Sequence, residues 1–359
     1  MSGNDVKKKR GRILSWGLNL AGILIFVLIL WLGGVKAWQQ IVRGDWRYIL
    51  AALGVTLLWN LVAAYRWSLI AGDLNTDVAD CPFRYYFTYH MIGMFLGQVV
   101  PITVGMLGGR PVALSLSRGV SLKRSALSVF MDKLFDLVLA LLLVIPVALY
   151  LIDWIDLGLA FGLMAATVAA AALAVAWQYE AIISWAGQLG ARLARPLGRL
   201  PVIGQRLPAQ LDRLAAERLL SNRLALRSFL LTLVLYALLS ARLFFISEAL
   251  RLDIPWHLFA LGVCVAQLAL VFSVTPGSLG FLETGWAAVL GLAGLTVEQF
   301  TIFVLGRRAY FMLFTLLCTL LAFAWIRESP ARLFRAVWAA SRQGTAGPPE
   351  GEAADPHVA

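Results

Sequence analysis

Twenty consecutive residues, Ile13 to Leu32, carry no charged side chain, and a helix of that length rises about 30 Å, the thickness of a bilayer's hydrocarbon core. Apolar segments of similar length recur at about 47–71, 125–152, 157–177, 227–249 and 300–326, which predicts six full spans. Only 14% of the residues are charged and 60% are hydrophobic, where a soluble domain carries about 25% charge. Such a chain cannot hide its apolar surface in water. It specifies an all-α integral membrane protein, because a helix satisfies its own backbone polar groups inside lipid.

Two other apolar regions, about 85–117 and 257–294, are interrupted midway by Pro101-Ile102-Thr103-Val104-Gly105 and Pro276-Gly277-Ser278-Leu279-Gly280. Each reads as a broken, re-entrant helical hairpin. The two match at a constant offset of 175 residues, pairing Pro101 with Pro276, Gly105 with Gly280, Gly119 with Gly294, Val129 with Val304, and Asp132 with Arg307. An inverted repeat would give this pattern; a chance overlay of common residues is the alternative.

The formal charge is +11, which in a soluble chain would suggest a nucleic-acid partner. Here the basic residues flank apolar spans, where cytoplasmic bias and anionic membrane lipids account for them, so no nucleic-acid partner is expected. With both hairpins returning to the side they enter from, 22 of the 31 Lys and Arg residues fall on one side, 4 on the other and 5 within the membrane. The positive-inside bias then predicts a multi-pass plasma (inner) membrane protein with both termini cytoplasmic. The basic stretch before Ile13 resembles a signal peptide, but the apolar run is longer than a signal core of roughly 7–15 residues, so an uncleaved first span is expected. Residues 1–12 form a basic tail, 13–327 one transmembrane domain with a cytoplasmic amphipathic segment at 178–226, and 328–359 a partly disordered tail. Trp46, Trp59, Trp67, Trp154, Trp256 and Trp325 are expected as interfacial anchors.

Charges within spans are the informative positions, since a central one costs about 2.5–3.5 kcal/mol on insertion scales. There are nine: Arg66, Asp132, Lys133, Asp136, Arg242, Glu248, Glu283, Arg307 and Arg308. Asp132 and Asp136 share one helix face. One reading is two polar vestibules, one per membrane side, that a lipid headgroup occupies in turn. The other is structural ion pairing, for instance Asp132 with Arg66. The hairpins also suggest half-helix N-termini just after Gly105 and Gly280, where free amides suit a phosphate, with Gly109 allowing close approach and Arg110 pairing with it. Glycines that only permit tight helix packing, and a Glu283 that only caps its helix, are the plainer alternatives. The candidate substrate-binding set is therefore Gly105, Gly109, Arg110, Asp132, Lys133, Asp136, Arg242, Pro276, Gly277, Gly280, Glu283, Arg307 and Arg308.

Cys81, Cys264 and Cys318 are far apart, and His90, His257 and His357 are equally scattered. Neither a metal site nor a disulfide framework follows, and no cofactor is expected. No phosphate-binding loop or nucleophile elbow is present.

Pro101, Gly105 and Arg110, the stretches Arg118-Gly119-Val120-Ser121 and Asp132-Lys133-Leu134-Phe135-Asp136, then Pro276 to Glu283 with Arg307 or Arg308 downstream, form an ordered set. Over roughly residues 10–330 the chain resembles the flippase-like integral membrane proteins that include the membrane region of lysylphosphatidylglycerol synthases. Leu107 stands where that family often has an acidic residue, and Lys133 where it usually has arginine. The resemblance implies translocation of a phospholipid or polyprenyl-linked lipid, by a chain that is not itself an enzyme. The alternatives are a membrane-embedded headgroup enzyme using Asp132 and Asp136 as acid and base, or an accessory subunit for a glycosyltransferase partner. A homo-oligomer is compatible with all three.

Overall fold

A computed structural model of the chain describes residues 31, 34, 35, 37–74, 81–99, 102–197, 220–271, 275 and 277–326. The tails 1–12 and 328–359, all but Trp31 of the first expected span, residues 198–219 of the amphipathic segment, Pro101 and Pro276 lie outside the described residues.

Among the described residues, beside the helical stretch 37–42, the helices are α1 (Trp46–Leu74), α2 (Phe83–Val99), α3 (Ile102–Arg118), α4 (Leu122–Leu151), α5 (Leu157–Leu197), α6 (Asn222–Ala249), α7 (Trp256–Val271), α8 (Phe281–Leu292) and α9 (Val297–Ile326), and no strand occurs. Helices α1, α4, α6 and α9 are long and apolar enough to cross a membrane, as is α5 up to Tyr179. These five are the expected spans, each extended by a few residues. Leu141, Ile145, Leu316, Leu320 and Leu321 point outward, a surface that suits lipid and not water. The interior holds Thr56, Asn60, Ser128, Thr232 and Thr319, several of which donate to the carbonyl four residues back. The first turns are capped by sequence-local chemistry: Ser121 and Ser221 accept from the amides of Arg124 and Leu224, Asp156 from Leu159, and Thr296 and Gln299 from each other's amides.

A shift of 175 residues lays α9 on α4 end to end, sets α6 on α1 with a common last residue, and overlaps α7 with α2 and α8 with α3. It also superposes local detail, since Gly119 (φ 66°) two residues before the Ser121 cap matches Gly294 (φ 82°) two residues before Thr296. Packing obeys the same exchange: α4 lies on α7 as α9 lies on α2, and α1 on α2 as α6 on α7. The equivalent helices α1 and α6 run antiparallel. The Asp45 amide before α1 donates to Ala249 O at the end of α6, and Arg66 late in α1 meets Thr232 early in α6. The axis relating the halves therefore lies across the helices, and for helices that span a bilayer that is an inverted repeat.

The two broken regions are packed helix pairs, α2 with α3 and α7 with α8. The first opens at the end where α1 finishes and α4 starts, the second where α6 finishes and α9 starts. Since α1 and α6 are antiparallel, the pairs enter from opposite sides. Their tips meet: Gly277, held at φ 58°, leaves only 3.3 Å between a would-be Cβ and Gln98 O. A bare backbone allows that approach.

Candidate functional site

Each half carries one charged cluster. In the first, Arg66 of α1 is fully buried and spends its guanidinium on two other helices, α4 and α6. Its Nε donates to Asp132 Oδ1 (2.8 Å), Nη2 to Asp132 O (3.0 Å), and Nη1 to Asp136 Oδ1 (2.6 Å) and Thr232 Oγ1 (2.6 Å). Arg110 of α3 gives Nη1 to Asp132 Oδ2 (2.9 Å) and Nη2 to His90 Nδ1, and lies 5.4 Å over the Trp67 ring. Since arginine only donates, His90 Nδ1 is an acceptor and Nε2 carries the proton, given to Asn60 Oδ1 (3.1 Å). Asn60 in turn donates to Thr56 O. Asp132, with no exposure, is saturated by two arginines.

In the second, Glu283 is the shared carboxylate. Oε1 accepts from Arg307 Nη2 (3.0 Å) and Arg308 Nε (2.7 Å), and Oε2 accepts from the Gly280 amide (2.8 Å), which caps α8. Arg308 Nη1 also donates to Gly277 O (3.1 Å). Arg242 of α6 differs from every other buried cation here. It has no ion pair among the described residues, and its Nε and Nη1 make no hydrogen bond. Its guanidinium lies 4.9 Å from the Phe311 ring centre and 5.8 Å from that of Trp59. Arg307 Nε and Ser278 Oγ are likewise buried without a hydrogen bond among the described residues. Ser278 adopts φ 58°, a left-handed conformation that costs a non-glycine residue on the order of 1 kcal/mol or more.

These groups surround a cavity of about 120 Å³ between the halves. Gln98 and Lys133 border it from the first half, and Arg242, Arg307, Arg308, Gly277 and Ser278 from the second. Lys133 joins the two clusters. Its Nζ pairs with Asp136 Oδ2 (2.8 Å) while its side chain, 31% exposed, reaches the cavity.

The structure corrects several expectations. Arg110, which is not among the nine charges expected within spans, is a core residue, because Asp132 and His90 draw it inward. Asp132 is not a vestibule wall but the centre of the ion-paired alternative. Gly105 does not precede a half-helix: α3 begins at Ile102, and the glycine lets α3 press on the backbone of Gly97, where a Cβ has no room. Gly109 lies against Gly93 and Leu96 in the same seam. The Gly280 amide is taken by the chain's own Glu283. Trp67 is fully buried under Arg110 and donates to Ser128 Oγ (3.1 Å), and Trp59 faces Arg242, so neither is an interfacial anchor. Trp46, Trp154, Trp256 and Trp325 are exposed.

Sequence reasoning missed His90, Asn60 and Thr232 as network members and Gln98 as a cavity residue. For His90, Asn60 and Thr232 the available signal was a polar side chain in the middle of an otherwise apolar helix; Gln98, next to the end of α2, offered none.

Residues 19–319 match the family model described as the lysylphosphatidylglycerol synthase TM region. A UPF0104 membrane protein of Methanothermobacter thermautotrophicus is 25% identical over 297 residues, covering 77% of this chain and 82% of that protein. No solved structure matches. Five spanning helices, two broken pairs and a family match over most of the length agree, and the chain belongs to the family of the lysylphosphatidylglycerol synthase membrane region.

Proposed function

We propose that this protein moves a lipid with an anionic headgroup, a phospholipid or a polyprenyl-linked lipid, between the leaflets of the plasma membrane, without altering it chemically. The observation that carries this reading is Arg242, which borders a cavity between two inverted halves with two guanidinium nitrogens free of hydrogen bonds to the described residues. A charged group in such surroundings costs several kcal/mol unless paired, so its retention there argues for a ligand that pairs with it. The inverted repeat supports transport, since rocking of one half against the other about a central site opens that site to each side in turn. The basic loops support a cytoplasmic placement of both termini, with α2 and α3 entering from the cytoplasm.

The test is a headgroup-accessibility assay in vesicles reconstituted with folded protein. Protein-dependent movement is expected for lipids with anionic headgroups. An absence of movement across a panel of anionic and glycosylated lipids would count decisively against the reading.

A further inference from the structure

We infer that the headgroup seated in this cavity is a phosphomonoester or pyrophosphate, a terminal group with at least two negative charges, rather than a phosphodiester. The inference rests on the translocation reading and narrows its substrate class.

Charge balance carries the argument. Among the described residues the two clusters hold six cations, Arg66, Arg110, Lys133, Arg242, Arg307 and Arg308, against three carboxylates, Asp132, Asp136 and Glu283. Each carboxylate is already divided between two cations. His90 adds no charge, as its two ring contacts use one accepting and one donating nitrogen. The network is therefore +3 in an apolar interior, where uncompensated charge is disfavoured. A diester, with one negative charge, leaves two positive charges over. A dianion leaves one, and Lys133 is exposed enough to carry it.

Donor count points the same way. Arg242 Nε and Nη1, Arg307 Nε and Ser278 Oγ all belong to residues bordering one cavity, and none makes a hydrogen bond among the described residues. A phosphomonoester has three strong acceptor oxygens to offer them; a diester has two. The volume of about 120 Å³ admits a phosphoryl group with a few waters, a water needing on the order of 10–15 Å³ by the same measure. Leu239, Leu270 and Leu282 flank it and suit the first carbons of a lipid chain.

The experiment measures binding to the purified full-length protein by intrinsic tryptophan fluorescence, since Trp59 and Trp286 border the cavity. The probes are dodecyl phosphate, its methyl ester and inorganic phosphate. Dodecyl phosphate is expected to bind at least tenfold more tightly than the methyl ester at pH 8. The advantage should shrink below pH about 6, where the monoester loses its second charge. Arg242→Gln and Arg307→Gln should each remove the preference. Arg242→Lys should restore part of it, and unfolding midpoints will show whether each variant is folded. Equal affinity for the two esters in the wild-type protein, or a preference that ignores pH, overturns the inference whatever the variants do. Inorganic phosphate binding as tightly as dodecyl phosphate overturns the lipid source and leaves a free-phosphate site. A preference for the monoester without leaflet movement of any lipid sinks the translocation reading and leaves the dianion site standing. Movement of phosphodiester lipids without that preference does the opposite.

Discussion

The clusters around Asp132 and Glu283 occupy related places in the two halves, yet one is closed and the other open. Asp132 and Arg307 are equivalent under the 175-residue shift, so the duplicated position carries opposite charge in the two copies. In the first half the acid lies on α4 and draws in Arg66, Arg110 and, through Asp136, Lys133. In the second the base lies on α9 and the acid on α8, while Arg242 on α6 is left without a carboxylate among the described residues. The difference teaches that burial of charge has two uses in one fold. A saturated network pins helices together, whereas an unsaturated one keeps donors for something else.

That contrast can be broken by substitution, and the largest effect is expected at its closed end. Asp132→Ala strands Arg66 and Arg110 with no carboxylate between them and should lower stability by about 3–5 kcal/mol, the usual result of halving a buried ion pair. Thermal unfolding of the purified protein measures it. An unchanged midpoint would mean that the first cluster does not pin α1, α3 and α4 together. Next is Gly277→Ala, which forces a side chain into φ 58° against Gln98 O. A loss of about 1–3 kcal/mol is expected, readable in the same assay. Thr232→Val removes one of several acceptors for Arg66 and should cost about 1 kcal/mol. The smallest effect belongs to Trp59→Leu, which takes an aromatic face from Arg242 at a cost of about 0.5–1 kcal/mol to its position. That change should reach ligand affinity more than the unfolding midpoint, and the opposite pattern would make Trp59 a packing residue.

How much of this is legible in the sequence follows from which forces act locally. The spans were readable because bilayer thickness fixes helix length, and 300–326 falls within α9 (Val297–Ile326). The repeat was readable because Pro and Gly mark breaks whatever surrounds them, although antiparallel α1 and α6 needed the structure. Partner choice was not readable. Apolar residues on every side of a spanning helix erase the periodicity that would say which face is inward. The sequence therefore left ion pairing of Asp132 with Arg66 and a headgroup vestibule at Asp132 equally open. Trp67 and Trp59 look like anchors by position along the chain, yet Trp67 is buried and Trp59 is half-buried, each with an arginine over its ring. His90 stands out as a polar side chain within an apolar helix, but what it does becomes legible only beside Arg110 and Asn60.

The most direct test compares wild-type and Arg242→Gln proteins in the same vesicles, scoring the rate at which an anionic lipid headgroup becomes accessible from the far leaflet. The expected result is at least a tenfold slower rate for the variant with an unfolding midpoint equal to or above that of the wild type. An unchanged rate in a well-folded variant would contradict the claim that the open cluster is where the headgroup rests.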